Sequence, residues 1–112
     1  MGHKYNARAT VIDGIEFSSR AEGKHYAELK LRERAKEIRD LTLQPEFALW
    51  EGGRDRNGKK HRAMVYRADF AYVNCKTGET HVVDVKGMRL PMYLLKRKMF
   101  LVKYPEYVFE EV

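Results

Sequence analysis

The chain has 112 residues, 44% of them hydrophobic, and a formal net charge of +6. That length fills one compact domain, residues 1–112, and leaves no room for a second, while the modest excess of Lys and Arg favours a polyanionic partner. The single cysteine, Cys75, excludes an internal disulfide and a cysteine-built zinc site, and fits a reducing compartment.

The opening "MGHKYNARAT" holds no apolar run for a secretory signal, and Asn6 stands where N-myristoylation needs Ser or Thr. No apolar stretch approaches the ~20 residues of a membrane span. A soluble, cytoplasmic protein with no membrane partner is expected. Residues 10–17, "TVIDGIEF", are two β-prone runs joined by Asp13-Gly14, a strong hairpin signal. A helix follows from Arg20 to Ile38. Ser19 is its N-cap and Glu22 completes a capping-box pattern. Ala27, Leu31, Ala35 and Ile38 recur at helical spacing as a buried stripe, joined by Tyr26 and Leu29.

"LTLQPEFALW" reads as extended, with Pro45 marking an edge or a bulge. Asn57-Gly58 in "EGGRDRNGKKH" predicts a tight turn. "RAMVYRADFAYVN" alternates as a strand, with Met64, Tyr66, Ala68 and Phe70 on one side and Val65, Arg67, Asp69 and Ala71 on the other. "CKTGE" turns the chain into "THVVDVKG", a strand whose valines suit burial on both faces. Pro91 fits the first turn of a second helix, for which Tyr93, Leu94, Met99, Leu101 and Val102 are candidate core contacts. Pro105 ends it, and "YVFEEV" is a last strand. The order predicts an α/β or α+β fold: an N-terminal hairpin and a mixed central sheet flanked by helices.

Three acids stand where an acid is awkward. Asp69 and Asp84 interrupt strands, and Glu22 lies in the first turn of helix one. If the strands of Asp69 and Asp84 pair through the short turn, their carboxylates converge and repel, and a hard divalent cation is the usual compensation. Lys86 shares a strand face with Asp84, in place to orient or deprotonate a metal-bound water or to stabilise charge on a phosphate. Singly, each has a plainer reading. Glu22 serves the cap, Asp69 pairs with Arg67 or faces water, and Asp84 with Lys86 makes a surface ion pair worth ~0–1 kcal/mol.

Jointly they resemble something specific. Glu22 on a helix, Asp69 on a strand and Asp84-Val85-Lys86 on the next resemble the PD-(D/E)XK nuclease superfamily, whose restriction-endonuclease-like core runs αβββαβ. More closely, "KYN" through "DGIEFSSRAEGKHYAELKL", then "LQPEF", "ADF" and "DVKG", is similar to a family of small phage-encoded proteins grouped with Holliday-junction resolvase-like nucleases, over essentially the whole chain. The resemblance implies that Glu22, Asp69, Asp84 and the Val85 carbonyl hold one or two Mg²⁺ ions, with Mn²⁺ able to substitute, and that Lys86 acts on the attacking water. Gln44 would fall near the site. His25, three residues after Glu22, shares its helix face and could touch the site. Ala68 stands where the superfamily has Pro, and Asp84 where Glu is commoner. Glu28 competes with Glu22 as the helix acid, but lies about 240° round the helix from it, so only one can face the site; Glu22 is preferred.

The activity implied is Mg²⁺-dependent hydrolysis of DNA phosphodiesters at a branched junction, in the host cytoplasm if the protein is phage-encoded. Rival readings are a nicking, flap or single-strand nuclease of the same fold, and a silent nucleic-acid-binding module. Basic residues gather in two places: Arg54, Arg56, Lys59, Lys60 and Arg62 about the predicted turn, and Arg89, Lys96, Arg97 and Lys98 near the second helix. Both suit phosphate backbones, and both also suit solvated faces. Symmetric cutting of a four-way junction needs two active sites, hence a C2 homodimer, with residues 10–17 a candidate dimer element. No small-molecule cofactor is expected.

Overall fold

The computed structural model describes residues 9–85 and 87–112. Strands β1 (Thr10–Ile12) and β2 (Ile15–Phe17) form the predicted hairpin. Asp13 and Gly14 both take positive φ, 53° and 77°, as a tight two-residue turn requires. Helix α1 (Arg20–Arg34) begins at Ser19, whose Oγ accepts the Glu22 N–H at 3.1 Å.

The hairpin lies directly on α1 at Gly23. A methyl group there would clash with Thr10 Cγ2 and meet Ile12 Cδ1 at 3.1 Å. Gly23→Ala is therefore expected to destabilise the fold by about 1–2 kcal/mol, because overpacking outweighs the ~1 kcal/mol that alanine gains in a helix. Urea unfolding of the two proteins checks this. The hairpin's Ile12, Ile15 and Phe17 pack on the protomer's own core, while Val11 is exposed.

Helix α1 stops four residues short of the predicted Ile38. Lys36 turns left-handed at φ 63°, and the N–H groups of Lys36 and Glu37 bond back to the Glu33 and Arg32 carbonyls. This is a glycine-type helix stop made by lysine. The buried stripe shifts accordingly to Glu22, Gly23, Tyr26 and Leu29, with Ala27 half-buried and Leu31 and Ala35 exposed. Ile38 is buried instead as the first residue of β3 (Ile38–Leu43).

Next come β4 (Glu46–Trp50), the short pair β5 (Gly53–Arg54) and β6 (Lys60–His61) closed at Asn57-Gly58, and then β7 (Met64–Arg67) and β8 (Phe70–Asn74). Strand β9 (Thr80–Asp84), helix α2 (Pro91–Lys103) and β10 (Val108–Glu111) complete the chain. The main sheet has the order β10-β9-β8-β3, with β9 and β10 parallel and the other pairs antiparallel. The protein is α+β, with two helices and a mixed sheet among the described residues.

Two long strands predicted from the sequence each break in two at the same level. Strands β3 and β4 part at Gln44-Pro45, and β7 and β8 part at Ala68-Asp69. The Gln44 N–H donates to the Asp69 carbonyl and the Ala68 N–H to the Pro45 carbonyl, so the two breaks form one bend in a continuous antiparallel arm. Tyr66 and Ala68 pack with Phe100 of α2, but Phe70 packs with Tyr26 and Leu29 of α1. The bend carries the alternation from one face of the sheet to the other. Val82 and Val83, both fully buried, likewise split between the two cores, so the helices cover opposite faces. No helix among the described residues is long and apolar enough to cross a membrane.

Candidate active site

The bend places Asp69 where the arm leaves the sheet. Its N–H is fixed by the Val83 carbonyl at 3.0 Å, and its Oδ2 accepts the Val85 N–H at 2.6 Å. The carboxylate thus ties the end of β8 to the chain leaving β9. Glu22 reaches the same point from the first turn of α1 and is the one buried charged residue among those described. It does not close a capping box; its Oε1 accepts the Ser18 hydroxyl at 2.8 Å, and it lines the same pocket as Asp69.

Burial first, and then the negative charges of Asp84 and Glu22, push the Asp69 carboxyl up to about 7, against the opposing Val85 hydrogen bond. Asp84 is raised too, by burial foremost, with Glu111 and Glu22 adding to it. Its Oδ2 accepts the Tyr66 hydroxyl at 2.5 Å. Burial, then this bond, drives the Tyr66 hydroxyl far above its ordinary value, so it stays a donor. Asp84 is turned toward Tyr66 and α2, while Glu22 comes from the α1 side. Among the described residues no three His, Cys, Asp or Glu groups are spaced to hold a metal ion together.

Beside Glu22 and Asp69 lies a pocket of about 190 Å³, walled by Ile15, Phe17 and Leu43, with Glu16 and Gln44 completing its lining. Gln44 is therefore near the acids, and its left-handed backbone, φ 50°, is held by the bond to Asp69. His25 packs against the Phe70 ring at 5.8 Å, pairs with Glu28 at 3.6 Å, and has its pKa lowered by burial. It does not line the pocket. Glu28 points to the same pairing, and Glu22 is the helix acid beside Asp69. Lys86 lies outside the described residues, and Val85 enters through its N–H.

Of the basic residues, Arg54, Arg56, Lys59, Lys60 and Arg62 are exposed around the β5–β6 hairpin. Arg89 and Arg97 are held by Glu111 at 2.7 and 2.9 Å, with the Tyr93 hydroxyl donating to the same carboxylate. That bond, then the two guanidiniums, keeps the Glu111 carboxyl below its usual range. Glu111 stands opposite Asp84 in the parallel ladder. Lys96 is half-buried and Lys98 exposed. Arg67, one alternative partner for Asp69, instead grips Glu46 at 2.8 Å. The sequence marks Tyr66 and Tyr93 only as strand and core residues and does not single out Glu111, because their hydrogen-bonding roles depend on contacts between distant segments.

These features define an α+β protein with a half-buried carboxylate site at the bend of its central strands. The chain belongs to the family described as "Protein of unknown function (DUF1064)", whose model matches residues 2–110. No curated protein and no solved structure matches it.

Proposed function

We propose that the chain is a metal-dependent endonuclease of restriction-endonuclease-like fold, acting on branched DNA in the cytoplasm. The observation that carries the reading is Asp69: a half-buried carboxyl at a strand bend, lining one pocket with buried Glu22, and raised to about 7 first by its burial and then by the charges of Asp84 and Glu22. The order α1, β3, β8, β9, α2, β10 through the main sheet supports the αβββαβ assignment. A divalent cation fits the donor chemistry, since it offsets both the burial of the Asp69 carboxylate and the repulsion from Asp84 and Glu22. Mg²⁺ commonly takes only one or two carboxylates, with waters and phosphate oxygens completing its shell.

Glu22 and Asp69 would hold the ion, with Asp84 next to them. The ion would supply charge neutralisation at the scissile phosphate and a more acidic bound water. Lys86 is assigned to the attacking water. Tyr66 fixes one oxygen of Asp84, and Val85 N–H fixes one oxygen of Asp69. The exposed cations of the β5–β6 hairpin provide phosphate contacts that carry no sequence preference, while Arg89 and Arg97 are engaged by Glu111.

A second reading, a silent nucleic-acid-binding module, is favoured by one observation: Asp84 faces Tyr66, and no three-ligand group is assembled among the described residues. Cleavage of labelled four-way junction, nicked, linear and single-stranded DNA with Mg²⁺, Mn²⁺ or EDTA separates the two. Paired cuts in the junction are expected, lost with EDTA and in Asp84→Ala and Lys86→Ala. Equal cutting of all substrates keeps the site but makes the enzyme a general nuclease. DNA binding without cleavage under either metal leaves the binding module.

A further inference from the structure

Strand β4 ends on an indole that the protein's own core does not use. The other aromatic residues of the arm are packed: Phe47 meets the Phe100 ring edge-on at 4.9 Å, and Tyr66 meets it at 5.0 Å. Trp50, the one tryptophan of the chain, joins no aromatic pair among the described residues and is 45% exposed. A bulge puts it there. The register of β4 with β7 passes from Ala48↔Val65 to Trp50↔Met64, so β4 carries one extra residue, Leu49, which is buried on the α2 core. Bulges recur where a strand must re-aim a side chain, often beside functional sites. Trp50 lines an open recess of about 590 Å³ with Met64 and Val65, and the charged residues of that recess are Glu51 and Lys103.

We propose that Trp50 is a stacking platform for an unpaired base of a DNA strand, with the cations on either side of it taking the neighbouring phosphates. This rests on the nucleic-acid part of the reading above, but not on cleavage. An exposed aromatic ring alone has a plainer reading, since single apolar residues are common on surfaces. Here the surroundings decide. The β5–β6 hairpin continues from Trp50 and Met64, and residues 53–62 hold five cations, Arg54, Arg56, Lys59, Lys60 and Arg62, against one acid, Asp55. That acid is engaged within the turn. Its Oδ1 accepts the Asn57 and Lys59 N–H groups at 2.9 and 3.0 Å, and its Oδ2 meets His61 Nε2 at 2.9 Å. The hairpin root is equally tight: Gly52 turns at φ 79°, where a side chain would strike the His61 carbonyl. The cations are thus held in place beside the indole. On the α2 side, Lys103 Nζ donates to the Leu49 carbonyl at 3.4 Å.

A flat ring between positive charges suits a polyanion that itself carries flat rings. Proteins that hold single strands combine a cationic track with aromatic side chains on which bases stack. Within a duplex both faces of a base are covered by its neighbours. A base therefore reaches Trp50 only from a single-stranded segment or where a branch interrupts the stack. The contact reads structure and not sequence, because every base has a π-face. Glu51 opposes it by one charge and is outnumbered by Arg54, Arg62 and Lys103. Trp50 stands five residues along the arm from Pro45 of the bend, at most ~17 Å, so one strand can pass both the indole and the carboxylates.

Because the chain has one tryptophan, its own fluorescence reports the contact, and EDTA keeps binding apart from cleavage. Oligothymidylate and a duplex carrying a single-stranded flap are expected to quench the emission, while a blunt duplex leaves it nearly unchanged. Affinities come from the anisotropy of labelled DNA. Trp50→Ala is expected to weaken oligothymidylate binding by about 10-fold or more and Trp50→Phe to retain most of it. Both keep the wild-type thermal midpoint, since the ring is exposed. Bound oligothymidylate that leaves the emission unchanged, or an affinity indifferent to Trp50→Ala, overturns the proposal and leaves the nuclease reading standing. Quenching and the Trp50→Ala loss, with no cleavage under either metal, uphold it and remove only the catalysis. A blue shift on vesicles of acidic lipid, with none of these responses to DNA, overturns it in favour of a membrane contact.

Discussion

Asp69→Asn is expected to make the metal-free protein more stable at pH 8 and to remove its metal-dependent cleavage. The Asp69 carboxyl sits at about 7 in the folded protein, against ~3.9 in an unfolded chain. Between those values the folded state holds a proton that the unfolded state has released, so stability falls as pH rises from about 4 to 7. Below that window the penalty is absent, and above it the penalty is complete. Asp84 is raised as well and acts in the same direction.

The amide of Asn keeps an oxygen to accept the Val85 N–H and brings no charge. The gain at pH 8 is expected to be about 1–2 kcal/mol, allowing for the water that reaches a half-buried carboxyl. Urea unfolding at pH 5 and pH 8 measures it: the wild type weakens between the two and the variant weakens less. Added Mg²⁺ distinguishes the variants further. At a hundred times its dissociation constant a ligand stabilises by ~2.7 kcal/mol, which the wild type is expected to gain at pH 8 and Asp69→Asn to lose. Cleavage is expected to drop by 10² or more, on the order of losing one electrostatic contact to the transition state. A variant that remains as pH-sensitive as the wild type, or still cuts with Mg²⁺, removes Asp69 from the site.

Local chemistry was readable where it depends on near neighbours. Asp13-Gly14, Ser19, Asn57-Gly58 and Pro91 each fix a backbone geometry within a few residues, and each stands where the sequence placed it. The bend was not readable, because the period-two pattern runs unbroken through Tyr66, Ala68 and Phe70 while the chain changes face at Asp69. The end of α1 was hidden for a related reason. Ile38 continues the helical spacing, and only the left-handed turn at Lys36, a position usually marked by glycine, diverts it into β3.

Their apolar character predicts Leu94, Leu101 and Val102 as core contacts, yet they are exposed on α2. Hydrophobicity says that a face must be covered and not by which chain. For the site, Glu22 and Asp69 line one pocket, whereas Asp84 is turned to Tyr66. Its neighbour Tyr66 is eighteen residues away in the chain, and nothing in the spacing of either strand announces the contact.

Tyr66→Phe isolates that contact. Tyr66 is buried, 2% exposed, and its ring packs against Phe100 at 5.0 Å, so phenylalanine fills the same space and removes only the hydroxyl. Asp84 then loses the donor that fixes Oδ2, and the fold is expected to lose about 1–2 kcal/mol, within the cost of leaving a partly buried polar group unpaired. The larger effect is on metal. Groups that orient a ligating carboxylate typically cost 10–100-fold in metal affinity when removed, and the half-saturating Mg²⁺ concentration is expected to rise by that factor. It is read from Mg²⁺-induced stabilisation as well as from cleavage. At saturating Mg²⁺ the cleavage rate is expected to recover most of its wild-type value, which a general loosening of the fold would not allow. An unchanged Mg²⁺ dependence would reduce Tyr66 to a packing residue. A tighter one would show that the hydroxyl holds Asp84 away from the ion, and that the carboxylate must swing across the end of β9 before the site is complete.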